Sequence, residues 1–184
     1  MKTIRTLQIL INLLFYVLLG IVIITITYYL ILFIYPEILP DILQMSRMAF
    51  SFFDWKFFIG PVLTSLNFIL FVYGVYLLKK IIPSFKRADF YGSLVVKNLR
   101  KSGQLFIFIG LSTILIKVIF FFVVQNSIGF IGKGMQSFWY ISTSLISSID
   151  ITMISLIVVG LFLLLFSDSF KNAQLLKQEN DLTI

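Results

Sequence analysis

Apolar residues run in four long blocks along this chain, and polar intervals separate them. From Ile9 to Tyr35 no charged residue occurs, and a helix needs only about 20 residues to cross a bilayer. A cleaved signal peptide would have a shorter apolar core and a small-residue cleavage site. The first block therefore predicts a retained transmembrane helix, over residues 9–35. Pro36 and Pro40 end it, because proline cannot continue the helical hydrogen-bond ladder. The later blocks predict spans over 57–78, 104–125 and 142–166. The expected fold class is all-α: a polytopic membrane protein of four transmembrane helices in two helical hairpins, forming one domain over residues 1–184.

Periodicity inside the blocks indicates which faces meet. In the second span Gly60, Thr64, Asn67 and Gly74 share one face at 100° per residue. In the third, Gly103, Gly110, Thr113 and Lys117 do the same. Small and weakly polar residues on one face let membrane helices approach closely, so both stripes are expected to be packing seams. The fourth span is polar in its first half (Ser144, Ser147, Ser148, Asp150, Thr152, Ser155) and apolar from Leu156 to Phe166.

Three polar or amphipathic intervals complete the pattern. Residues 41–56 place Ile42, Met45, Met48, Ala49, Phe52 and Phe53 at helical spacing, which predicts a short helix lying in the outer membrane interface. Residues 79–103 form a basic interval with Lys79, Lys80, Lys86, Arg87, Lys97, Arg100 and Lys101 against one acid, Asp89. Pro83 is expected to interrupt it, and Ser93–Lys101 to be helical and continuous with the third span. Residues 167–184 leave the membrane as a polar helical tail, with Phe170, Ala173 and Leu176 on one side. Gly129, Gly132 and Gly134 around Lys133 lack the strand before and helix after that a phosphate loop needs, so they predict a turn.

Composition makes the solvent lipid. The chain is 59% hydrophobic and 12% charged, whereas soluble domains hold about 45–50% apolar and about 25% charged residues. The formal charge of +7 sits beside hydrophobic spans, where it suits orientation and anionic headgroups better than nucleic acid, and no direct nucleic-acid binding is expected. Short loops rich in Lys and Arg stay in the cytoplasm. The amino end, the basic interval and the tail carry eleven of the fifteen Lys and Arg, and the outer loops only Arg47, Lys56 and Lys133. Both termini are therefore expected in the cytoplasm. Trp55 and Trp139 fall on the outer side, as aromatic anchors do.

The absence of Cys and His removes thiol chemistry, imidazole bases and soft metal sites. No HExxH, nucleophile elbow, phosphate loop or close intramembrane carboxylate pair occurs, so neither enzymatic activity nor a cofactor is expected. The ionisable residues placed well inside a span are Lys117 and Asp150. A charge at bilayer depth costs about 2.5–3.5 kcal/mol on insertion scales. Both lie about 12 Å below the outer ends of antiparallel helices. They are expected to pair, either as a structural pin or as the relay of a small transporter or a transporter accessory subunit.

The run ADFYGSLVVKNLRKSG, with Phe90, Asn98, Leu99, Arg100 and Gly103, and the ending LKQENDLTI resemble a bacterial family of small four-span membrane proteins, domain of unknown function 2975. That likeness covers the chain in span order and implies a multi-pass protein of the bacterial inner membrane. Its members often stand beside a small helix-turn-helix regulator, which implies a DNA-binding regulator as cytoplasmic partner. The partner surface expected is Phe90, Lys97, Asn98, Arg100, Lys101, Glu179, Asp181, Leu182 and Ile184. The leading expectation is thus a regulatory or interaction protein, with transport as the alternative. Membrane lipid is a further partner, and a homo-oligomer stays open.

Overall fold

The computed structural model describes residues 2–34, 56–87, 89–127 and 151–182. They form four helices: α1 (Lys2–Ile34), α2 (Lys56–Lys86), α3 (Ser93–Ser127) and α4 (Ile151–Leu182). Each is long and apolar enough to cross a membrane, with candidate spans Ile4–Thr27, Val62–Lys86, Ser93–Ile119 and Ile151–Asn180. The protein is a multi-pass, all-α membrane protein. The expected interfacial helix, apart from Lys56, the glycine-rich turn, the first half of the fourth span with Asp150, both tryptophans and Ile184 lie outside the described residues.

Neighbours in sequence are neighbours in space: α1 packs on α2, α2 on α3, and α3 most extensively on α4. The contacts fix antiparallel registers. Asn67 meets Thr113 while Gly74 meets Ser102 and Phe106. Between α3 and α4, Gly110 meets Met153 and Ile157, Gly103 meets Gly160, and Ser167 bonds to the carbonyl of Val96.

The buried core is thin. One cluster gathers Leu18, Val75, Phe106 and Ile109, and another Ile81, Val95 and Leu99. Most other aliphatic side chains face outward, as in Leu13 at 61%, Ile24 at 69% and Leu165 at 62% exposure. In water such a surface would drive aggregation, whereas in hydrocarbon it carries no penalty. On α1, the face turned to α2 recurs at intervals of three and four residues: Ile4, Gln8, Ile11, Phe15, Leu18 and Val22 are among the less exposed positions.

The basic interval is mostly helix: Ser93–Lys101 is helical and continuous with the third span, as expected, whereas the expected interruption at Pro83 is corrected. Pro83 does not interrupt α2, which runs through it to Lys86 without the hydrogen bond that the Lys79 carbonyl would have received. The helix ends just beyond, where the Arg87 amide is shared between the carbonyls of Pro83 and Ser84 and the Asp89 amide donates to Ser84 at 3.0 Å. That six-residue closure satisfies carbonyls that a helix end leaves open. Gly92 then starts α3, accepting from the amides of Val95 and Val96. A Cβ at Gly92 would strike the Asp89 carboxylate, so glycine lets this acid fold against the amino end of α3, where the helix dipole favours it. The true connection is a tight turn pinned by rings: Phe90 packs on Phe85 of α2 at 5.6 Å, and Tyr91 meets Phe170 of α4 edge-on at 5.7 Å.

Candidate functional site

The residues singled out by periodicity divide between two seams. Across α2–α3, Asn67 Nδ2 donates to Thr113 Oγ1 at 3.1 Å, and the Ser112 hydroxyl donates to Asn67 Oδ1 at 3.0 Å. Thr113 in turn donates to the carbonyl of Ile109. One level lower the Ser102 hydroxyl donates to the carbonyl of Gly74, beside the Phe106 ring that occupies the space a Cβ at Gly74 would need. Each polar group finds a partner inside the seam, as hydrocarbon surroundings demand.

Across α3–α4 the contact is backbone to backbone. A Cβ on Gly103 would lie 2.7 Å from the carbonyl oxygen of Gly160, and one on Gly160 would lie 2.8 Å from that of Gly103. Gly110 repeats the close approach against Ile157. The expected shared face on α3 is therefore split. Gly103 and Gly110 face α4, but Thr113 turns to α2, since ten residues at 100° each leave it about 80° from Gly103. On α2, Asn67 and Gly74 face the seam, Thr64 is exposed, and nothing is described of the surroundings of Gly60. Gly160, Ser102 and Ser167 went unnoticed in the sequence. Gly160 is the one small residue between Leu156 and Phe166, and that was its available signal.

Lys117 is half-buried on α3, one turn from Thr113, and takes part in an interaction there. Its expected partner Asp150 lies outside the described residues, so the pair does too. Among the described residues no three His, Cys, Asp or Glu cluster as metal ligands would.

The expected partner surface lies at the end of the bundle that holds the α2–α3 turn. Lys97, Arg100 and Lys101 are exposed on α3, Asn98 is half-buried, and Phe90 is 40% exposed despite its contact with Phe85. Glu179 is exposed on α4; Asp181 and Leu182 lie in its last turn. The acidic end does not fold back onto the basic helix. Ser167 is level with Val96, so a continuous helix carries Glu179 roughly 24 Å along the axis from Arg100.

Two lysines on α2 rest on aromatic rings. Lys79 Nζ lies 4.5 Å from the Phe15 ring centre and 4.4 Å from that of Tyr16, both on α1, and Lys80 Nζ lies 4.9 Å from Tyr76. Ring faces attract ammonium groups, so α1 is clipped to α2 at the level of these charges. An open pocket of about 350 Å³ is lined by Tyr73 of α2 and by Lys101, Gln104, Leu105 and Phe108 of α3.

A family profile described as "Protein of unknown function (DUF2975)" matches residues 43–184, covering α2, α3 and α4 and leaving α1 outside the matched stretch. No curated protein and no solved structure matches the chain.

Proposed function

Because this chain belongs to the DUF2975 family, whose description supplies no activity, we propose from its own surfaces that it is a regulatory or interaction protein of the bacterial inner membrane. In this reading both termini and the α2–α3 turn lie in the cytoplasm, where the excess of Lys and Arg would hold them. There the protein presents a basic face and a projecting helix to a soluble partner.

The carrying observation is the length of α4. Its register against α3 makes residue 170 level with Ser93, so Lys171–Leu182 project about 18 Å past the start of α3. Leu175 and Leu176 on this stem are 48% and 66% exposed, amid Lys171, Lys177 and Glu179. An amphipathic helix held clear of its own bundle suits docking into a groove of another protein. Lys97 and Arg100 add positive charge at the same end, complementary to an acidic rim. A helix-turn-helix regulator is the partner expected, tethered when bound and freed when released.

The transport reading rests on Lys117 and Asp150. The seam one turn below Lys117 is satisfied internally by Asn67, Ser112 and Thr113, which supports a packed structural role there.

Photo-crosslinking residues at positions 97 and 182, in native membranes, test the proposal. The expected result is the same small DNA-binding protein captured from both. Adducts confined to the chain itself would sink the regulatory reading.

A further inference from the structure

We propose that the groove between α2 and α3 is a binding site for an anionic phospholipid, its phosphate held by Lys101 and Gln104 and an acyl chain lying on Leu105 and Phe108. The site is independent of the soluble partner and of which leaflet it faces.

The first observation is the level of Lys101. Gly103 is opposite Gly160, so the α4 residue level with Lys101 is Phe162, which is 57% exposed. The first charge on α4 comes six residues later, at Asp168, about 9 Å further toward the polar end. On α1 the rings that meet Lys79 are Phe15 and Tyr16, whereas the nearest charge, Arg5, is about 15 Å lower. The ammonium groups of α2 and α3 therefore begin on the membrane side of the boundary set by the outer helices. Long basic side chains at such a level reach back toward the headgroups, and the anion abundant there is lipid phosphate.

The second is how this depth is managed lysine by lysine. Lys79 and Lys80 are held over rings. Lys101 instead is exposed and opens into the pocket. Asp89, the acid of this interval, is folded against Gly92 in the turn. Lys101 lies eight residues along α3 from Ser93, about 12 Å.

The third is the polarity of the pocket. Along α3 its lining passes from an ammonium through an amide to a leucine and a phenylalanine, advancing about 10 Å from Lys101 to Phe108. Tyr73, 47% exposed and stacked near Tyr76, forms the opposite wall. A head group needs the charged end, and a glycerol ester and acyl chain match the rest. A free phosphate ion would leave Leu105 and Phe108 unused.

Native mass spectrometry of the purified full chain tests the site, with phosphatidylglycerol and phosphatidylcholine of matched chains added at equal concentration. Phosphatidylglycerol should be retained preferentially. Lys101→Ala should lower that preference about fivefold, the weight of one basic side chain at an anionic surface. Lys101→Arg should keep the preference, and Phe108→Ala should shorten retention of both lipids. Equal retention of the two lipids by the unaltered chain would overturn the site. So would a loss in Lys177→Ala as large as in Lys101→Ala, or displacement of phosphatidylglycerol by inorganic phosphate.

Discussion

Gly103 and Gly160 set the distance between α3 and α4. A methyl group on either would press on the other's carbonyl oxygen, and backbone cannot step aside as a flexible side chain can. Overpacking of this kind costs about 1–3 kcal/mol. Gly160→Leu should therefore lower the unfolding temperature in detergent by several degrees, and Gly103→Ala by less. Gly20→Ala is the control, because nothing lies within 4 Å of the position; it should be neutral. Equal effects at all three glycines would refute the close approach as the cause. Gly103 and Gly110 were legible in the sequence through their seven-residue spacing. Gly160 was masked by the apolar run around it, where no second glycine marked the face. Asn67 was legible for a different reason: an amide amid hydrocarbon needs a partner, but which hydroxyl supplies it depends on register.

At the scale of elements, the polar intervals departed furthest from expectation. Pro83 suggested a break just after the second span, yet α2 continues through it to Lys86, while α3 begins at Ser93 as its apolar spacing predicts. Charge marks where a helix leaves the membrane, and hydrogen bonding decides where it ends. The tail shows the same distinction. Its helical character could be read from Phe170, Ala173 and Leu176, but that its acidic end stays clear of Arg100 and Lys101 could not, since reach depends on the register fixed by Ser167 and Val96. Phe170 still packs against Tyr91, whereas the stem beyond it projects. Deleting residues 174–184 should thus leave the thermal unfolding of the bundle unchanged while abolishing crosslinks from position 97 to the soluble partner. A marked loss of thermal stability would mean that the stem belongs to the bundle.

For the whole molecule, the orientation proposed from charge can be measured directly, because the chain contains no cysteine. Lys97→Cys and Gln178→Cys should react with a membrane-impermeant maleimide only after the cells are permeabilised. Labelling of intact cells would reverse the topology and move the partner surface outside. The sequence by itself determined that this is a four-span helical membrane protein, because span length and hydrocarbon content follow from composition along the chain alone. It also determined which end is basic and which residues were small enough to sit at seams. Only the tertiary structure decided which small residue meets which, that Thr113 turns to α2 while Gly110 turns to α4, and that Lys101 opens onto a pocket while Lys79 is capped by rings. Those outcomes depend on the rotation and register of one helix against the next. Both are set by contacts between residues far apart in the chain, and local periodicity carries no record of them.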